Sequence, residues 1–127
     1  FIKFMGHGTG LDIKDCSGFN FKKGSITNLS FKDKSFDNIV AMELLEHIEE
    51  IDLALKNVNR VLKDDGVFML EYADVQTGRA NFGSWEAFWW DKNKVIVNLI
   101  HSNGFKIVHQ VPFEVPWWGI SATCKKA

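Results

Sequence analysis

The sequence has 127 residues, 46% of them hydrophobic, which is enough for one core and predicts a single domain over residues 1–127. Lys and Arg total 15 and Asp and Glu total 16, so the charge indicates no general attraction to nucleic acid or to a membrane surface. No apolar run approaches the roughly 18 residues that span a bilayer, and the first residues lack a basic-then-apolar secretion signal. We therefore expect a cytoplasmic protein without a membrane partner.

The chain begins with a weakly alternating apolar stretch, Phe1–Met5, and a glycine-rich stretch that contains Gly6, Gly8 and Gly10. A second apolar piece, Leu11–Ile13, follows after only five residues. Neighbouring parallel strands need a crossover of roughly ten or more residues. The two apolar pieces are therefore not expected to be neighbouring parallel strands joined through a packed helix.

Two further strands are predicted before the first helix. Phe19–Lys22 predicts a short strand with its aromatic side chains on one face, followed by a turn at Gly24 and Ser25. Phe36–Met42 is rich in β-favouring apolar residues, and this run is long enough for a strand buried on both faces but too short for a helix.

Helical periodicity follows. Apolar residues recur at helical spacing and form one stripe, namely Ile51, Ala54, Leu55, Val58, Val61 and Leu62. Asp64-Asp65-Gly66 predicts the end of this helix, because glycine adopts the left-handed conformation that a C-terminal cap commonly needs. Val67–Tyr72 predicts the next strand. A strand, a helix and a strand in this order predict a crossover between parallel strands.

The C-terminal part predicts one more helix and two more strands. Asp91 is the expected N-cap of the helix, and Asn103-Gly104 is its expected end. Phe105–Val111 predicts a strand, Pro112–Gly119 a turn, and Ile120–Lys125 a last strand.

Four short motifs occur in order along this sequence: Leu29-Ser30-Phe31, Ser35-Phe36-Asp37, Leu45-Glu46-His47 and Arg60-Val61-Leu62-Lys63-Asp64-Asp65-Gly66. Together they resemble the class I S-adenosylmethionine-dependent methyltransferases, over about residues 29–125. The resemblance implies an α/β, Rossmann-like, mainly parallel sheet of about six or seven strands flanked by helices. It also implies an abbreviated N-terminal half, an antiparallel last strand, and a helix start at the Leu-Glu-His motif.

The resemblance also implies that S-adenosylmethionine is the cofactor. The cofactor-binding residues it implies are Gly6, Gly8, Gly10, Asp12, Ser25, Ile26, Ala41 and Met42. Glycine admits the methionine part of the cofactor close to the backbone, and Asp12 accepts hydrogen bonds from the ribose hydroxyls. Ser25 stands where the family typically has an aspartate for the adenine amino group. Its hydroxyl accepts without charge, which favours weaker adenine binding or reliance on the backbone of Ile26.

Two alignments of the N-terminus remain open. In the first, Leu11–Ile13 corresponds to the second strand of the family, and Asp12 is the residue that binds the ribose. In the second, Leu11–Ile13 is the first strand and Lys14–Gly18 is a degraded glycine loop. Both alignments place Asp12 at the cofactor. The glycines before it equally suit a simple flexible turn.

His47 is the candidate catalytic residue, because the resemblance places this helix start at the cofactor cleft. There it could orient an acceptor or act as a base, and it could equally cap or pack the helix. The histidines show no paired spacing and the cysteines no CxxC spacing, so no metal site is predicted.

The function implied is transfer of a methyl group from S-adenosylmethionine to a small-molecule or otherwise unidentified acceptor, with the protein supplying mainly alignment. Two alternatives stay open. One is a catalytically silent methyltransferase-like binding module, and the other is a nucleotide binder.

Overall fold

The computed structural model of the chain describes residues 7–14, 20–73, 93–113 and 119–127. Phe1–Met5, Gly6 and the predicted N-cap Asp91 lie outside these ranges. The elements in chain order are β1 (Gly10–Asp12), β2 (Phe21–Lys23), β3 (Phe36–Met42), α1 (Ile51–Val61), β4 (Leu62–Ala73), α2 (Asn93–Ser102), β5 (Phe105–Phe113) and β6 (Gly119–Lys126). A short 3-10 turn, Leu45–His47, lies between β3 and α1. None of the described helices is long and apolar enough to cross a membrane.

The described strands form two sheets. Four strands pair in the order β3-β4-β6-β5, and β1 pairs separately with β2. β3 and β4 are parallel, whereas β6 is antiparallel to both of its neighbours. The α/β Rossmann-like class and the antiparallel last strand are thus confirmed. The prediction of one sheet is wrong for the described residues, because the three-residue strands β1 and β2 pair with each other.

β1 and β2 are parallel although only residues 13–20 connect them. This connection is shorter than the usual crossover of roughly ten or more residues. Of the strand predicted over Phe19–Lys22, Phe19 lies outside the described residues, and β2 runs from Phe21 to Lys23. Asn20 precedes it with φ of 56°, a left-handed conformation that asparagine tolerates better than most residues.

The helix predicted from the apolar stripe is confirmed as α1. The whole stripe is buried: Ile51, Ala54, Leu55, Val58, Val61 and Leu62. Four of them, Ile51, Leu55, Val58 and Leu62, share one core cluster with residues of β4 and α2, namely Phe68, Leu70, Ile96 and Ile100. One face of the four-stranded sheet is therefore covered by both described helices.

The predicted end of this helix at Asp64-Asp65-Gly66 is wrong. α1 ends at Val61, and Leu62 is already extended, with φ of −77° and ψ of 138°. β4 begins there, and the ladder to β3 shifts register over the following residues, which is typical of a bulge. Gly66 is needed for close approach and not for a positive φ, because a Cβ would lie 2.7 Å from Leu62 Cδ1 and 2.9 Å from the Asp37 carbonyl.

The C-terminal part follows the prediction more closely. α2 is followed by Gly104 with φ of 80°, and the Gly104 N–H donates to the His101 carbonyl at 3.1 Å. β5 continues to Phe113, so Pro112, predicted in a turn, lies in the strand opposite Ile120. β5 is at an edge of the four-stranded sheet, where a residue without an N–H is tolerated.

Candidate functional site

Asp12, the last residue of β1, has an exposed carboxylate with one oxygen engaged. Oδ1 accepts a hydrogen bond from the Lys14 N–H at 2.8 Å, which closes an Asx turn. The Asp12 main-chain carbonyl accepts from the Gly24 N–H at 2.8 Å. Oδ2 accepts no hydrogen bond from the part of the chain that the structure describes. Asp12 thus has a hydrogen-bonded backbone and a carboxylate oxygen that no described residue engages.

The bond from Gly24 to Asp12 brings the Ser25–Asn28 turn beside the end of β1. Ser25 Oγ accepts from the Thr27 N–H at 3.2 Å and lies 2.8 Å from Thr27 Oγ1. A hydroxyl so engaged has at most one lone pair left for an adenine amino group. Ile26 is half-buried and packs against the main core. Three of the predicted residues, Asp12, Ser25 and Ile26, are therefore close together.

The glycines have different surroundings, and Gly6 lies outside the described residues. Gly8 has φ of 124°, and its carbonyl accepts from Asn20 Nδ2. Gly10 is a buried strand residue whose N–H donates to the Asn20 carbonyl at 3.0 Å. A Cβ on Gly10 would lie 2.4 Å from the Phe21 ring. Gly10 is thus not part of a flexible turn, and its missing side chain makes room for Phe21.

The carboxyl end of β3 holds the remaining candidates. Ala41 is in the core, and Met42, on the other face, is 55% exposed. In the turn that follows, Leu45 and Glu46 are buried, whereas His47 is exposed. The predicted helix start at this motif is wrong, because the motif forms one 3-10 turn and α1 begins only at Ile51.

Acidic residues mark the carboxyl ends of β3 and β4. Glu43 has φ of 49°, and its N–H donates to the Glu71 carbonyl at 2.8 Å. Both residues are half-buried, and Glu46 follows in the 3-10 turn. A left-handed non-glycine residue costs about 1–3 kcal/mol and is frequent at functional sites. No sequence signal marked Glu43. Nowhere in the described ranges do three or more metal-ligating side chains form a group that could hold an ion.

Sequence reasoning also missed two residues of α1. Asn57 Nδ2 donates to the Thr27 carbonyl at 3.0 Å, directly after Ile26. Arg60 Nη2 donates to the Leu29 carbonyl at 2.6 Å. Arg60 is the first residue of one of the four motifs, so the sequence partly indicated it. The carbonyls that Asn57 and Arg60 contact lie about thirty positions away in the sequence, so the contacts themselves were not predictable from it.

A comparison with protein families decides the assignment. The sequence model of one family, described as a methyltransferase domain, matches residues 6–70, just over half of the chain. The chain belongs to the class I S-adenosylmethionine-dependent methyltransferase family. The match begins at Gly6 and so includes Gly8, Gly10 and Asp12, which precede the four motifs.

Individual proteins are similar to parts of the chain. It is 37% identical over 57 residues to the uncharacterized methyltransferase YcgJ of Bacillus subtilis. The matched region covers 45% of this chain and 22% of that protein. The PH0226 protein of Pyrococcus horikoshii has a similar fold, with a TM-score of 0.77 at 20% identity over 99% of this chain and 74% of that one. The curated relatives are much longer, and the chain spans 33% or less of their length.

A second solved structure is that of the Burkholderia thailandensis 1,6-didemethyltoxoflavin-N1-methyltransferase with bound 1,6-didemethyltoxoflavin and S-adenosylhomocysteine. Its TM-score is 0.78 at 15% identity, over 98% of this chain and 64% of that one. At these identities the two solved structures support the Rossmann-like fold and nothing finer.

The cofactor of this family is S-adenosylmethionine, and the described residues suit its adenosine half. Oδ2 of Asp12 has the chemistry to accept a hydrogen bond from a hydroxyl such as those of a ribose. Ser25 and Ile26 lie beside it on a turn whose backbone is held. For the methionine half the described residues provide less, because Phe21 covers Gly10 and Asn20 occupies the Gly8 carbonyl.

Proposed function

We propose that this chain binds S-adenosylmethionine and transfers its methyl group to a small-molecule or otherwise unidentified acceptor. The observation that carries the proposal is the 2.8 Å hydrogen bond from the Gly24 N–H to the Asp12 carbonyl. This bond places an exposed carboxylate beside the Ser25–Ile26 turn. A carboxylate next to a turn of this kind suits a ribose with its attached base.

In the proposed complex Asp12 accepts hydrogen bonds from the ribose, and the backbone of Ile26 with Ser25 contacts the adenine. Ala41 and Met42 contribute the carboxyl end of β3. Methyl transfer from a sulfonium needs mainly alignment of the acceptor, which can lower a bimolecular barrier by about 7–11 kcal/mol at best. His47, exposed on the 3-10 turn, is the proposed residue for orienting or deprotonating the acceptor.

The charge of the strand ends favours this cofactor over a nucleotide. Glu71 lies in β4, Glu43 directly follows β3, and Glu46 lies in the 3-10 turn beyond it. A negative edge attracts the sulfonium cation of S-adenosylmethionine and repels the phosphates of a nucleotide. This argues against the nucleotide-binding alternative.

One observation favours the second candidate, a silent methyltransferase-like binding module. Phe21 lies where a side chain on Gly10 would be, and the Gly10 N–H is bonded to Asn20. Neither the Cα nor the N–H of Gly10 is therefore open to the methionine part of a cofactor. A module that recognises only the adenosine part would retain binding without methyl transfer.

Calorimetry of the full chain with S-adenosylmethionine, S-adenosylhomocysteine and ATP separates these functions. The proposal expects binding of the first two and none of ATP. Methyl transfer is then measured as S-adenosylhomocysteine release with a panel of amines, thiols and phenols. Binding without release on any of them favours the silent module, and selective binding of ATP favours the nucleotide binder.

A variant at His47 tests its proposed role once an acceptor is found. His47→Asn removes the base but retains a polar side chain of similar size. We expect turnover to fall about 100-fold or more, as for loss of a general base, with unchanged affinity for S-adenosylhomocysteine. Unchanged turnover would assign His47 to the surface of the 3-10 turn.

A further inference from the structure

The segment from Ser25 to Phe31, here called the α1-bound loop, has little secondary structure of its own. Within the loop, the backbone forms one isolated β-bridge between Ser25 and Asn28, in which the Asn28 N–H donates to the Ser25 carbonyl at 3.0 Å. Such a loop needs other partners to hold one conformation, because each fixed residue loses about 1–2 kcal/mol of backbone entropy. The neighbouring helix α1 supplies them.

Two side chains of α1 donate to three carbonyls of this loop. Asn57 Nδ2 donates to Thr27 at 3.0 Å. Arg60 Nη2 donates to Leu29 at 2.6 Å, and Arg60 Nη1 donates to Phe31 at 2.8 Å. Residues three apart on a helix lie on the same face, so Asn57 and Arg60 contact the loop together. The loop is held along its length at alternate residues.

Arg60 has the stronger hold because its bonds are charge-assisted and its guanidinium is a rigid fork. Nη1 also donates to Asp33 Oδ1 at 2.8 Å, just beyond the loop. A lysine could keep the positive charge but could not reach Leu29 and Phe31 in the same fixed geometry. Arg60 thus fixes the direction of the loop as well as its distance from α1.

The loop begins at the turn beside Asp12. Because the Gly24 N–H bonds to the Asp12 carbonyl, a loop held on α1 also holds the end of β1 relative to the four-stranded sheet. We infer that Asn57 and Arg60 are positioning residues for the adenosine half of the cofactor, although neither contacts it. They do so by fixing Ser25 and Ile26 beside Asp12. This inference rests on the proposed function.

The test compares substitutions on α1 that remove similar bonds. Asn57→Ala and Arg60→Lys loosen the α1-bound loop. The matched control is Asn59→Ala on the same helix, whose Nδ2 donates to the Asn103 carbonyl at 2.9 Å, in the connection between α2 and β5. Asn57→Ala and Asn59→Ala each lose one hydrogen bond from α1 to a loop carbonyl, so we expect comparable losses of melting temperature for these two variants. Affinities for S-adenosylhomocysteine are measured by calorimetry well below every melting temperature.

We expect Asn57→Ala and Arg60→Lys to bind S-adenosylhomocysteine about 3- to 10-fold more weakly. The loss is limited because only part of the free energy of each lost hydrogen bond is expected to appear in the binding affinity. Asn59→Ala should stay within about twofold of the unchanged chain, because it loosens a connection distant from Asp12 in the fold. If Arg60→Lys does not fold, Asn57→Ala alone decides.

Three results would overturn the inference, and they are distinguishable. If the unchanged chain binds no S-adenosylhomocysteine, the proposed function fails and the positioning role fails with it. If the unchanged chain binds but Asn57→Ala binds equally well, only the positioning role fails. An equal loss in Asn59→Ala would show a general effect of destabilising α1.

Discussion

The β3-α1-β4 unit and the β1-β2 pair differ in what holds them. The first buries its helix stripe completely and joins a four-stranded sheet. The second has three residues in each strand, and every side chain of β2 is exposed. The β1-β2 pair nevertheless carries Asp12, the residue on which the proposed cofactor site depends. The comparison shows a well-packed scaffold beside a small, lightly packed pair of strands that carries the proposed site.

The largest expected effect is loss of a core side chain from the scaffold. Leu55→Ala removes a fully buried side chain, and we expect it to destabilise the chain by about 2–5 kcal/mol. Leu11→Ala in β1, where the side chain is half-buried against Gly24, should cost about 1 kcal/mol. Urea denaturation of both variants measures the difference. Equal losses would break the comparison between the two regions.

An intermediate effect is expected at the contact between β1 and β2. Gly10→Ala places a Cβ against the Phe21 ring, which should cost about 1–3 kcal/mol as overpacking. Adding Phe21→Ala should restore much of this loss, because the clashing ring is removed. Melting temperatures of the two single variants and the double variant measure the coupling. Simple additivity would mean that the Gly10–Phe21 contact does not determine this position.

The smallest effect is expected from the ion pairs of the scaffold. The hydrogen bond from Lys63 lowers the pKa of Asp37 below 3.8, and the same contact raises the pKa of Lys63 above 10.5. The pair therefore stabilises the fold above pH 3.8, and this contribution is lost as pH falls through the lowered pKa of Asp37. It is also lost at alkaline pH, as pH rises through the raised pKa of Lys63.

Urea titrations of the unchanged chain and of Asp37→Asn between pH 2 and pH 7 check this, because the series runs from a pH at which both groups are charged to a pH well below 3.8. The difference in stability between the two should shrink as pH falls below 3.8. It should also shrink in high salt, since both side chains are exposed and salt screens exposed pairs. A difference that stays constant with pH would contradict the assigned pair.

The scaffold was predictable because its signals are local. Phe36–Met42 has the predicted bounds, and the apolar stripe begins α1 where expected at Ile51. The error at Gly66 arose because a glycine after a helix suggests a cap. Here the buried Leu62 starts a strand at once, and Gly66 relieves crowding against Asp37.

The candidate site was less predictable because its contacts join distant positions. Asp12 and Gly24 meet through a main-chain bond that no side chain announces. The sequence placed Gly10 in a glycine-rich turn that binds the cofactor, whereas in the structure the Phe21 ring of the next strand packs against Gly10. The role of Arg60 depends on carbonyls that are close only after α1 has folded onto the loop.

The central claim is that the Asp12 carboxylate binds the ribose of the cofactor, and Asp12→Asn tests it most directly. The asparagine oxygen can still accept from the Lys14 N–H, so the Asx turn and the stability should be retained. The matched control is Asp65→Asn, which makes the same change of charge on an exposed residue of β4.

Calorimetry with S-adenosylhomocysteine and melting temperatures are measured on both variants and on the unchanged chain. We predict that Asp12→Asn weakens binding about tenfold or more, the loss expected for a charge-assisted bond, and that Asp65→Asn does not. The melting temperatures of both variants should be close to that of the unchanged chain. Equal affinity of Asp12→Asn and the unchanged chain would contradict the account by removing Asp12 from the site.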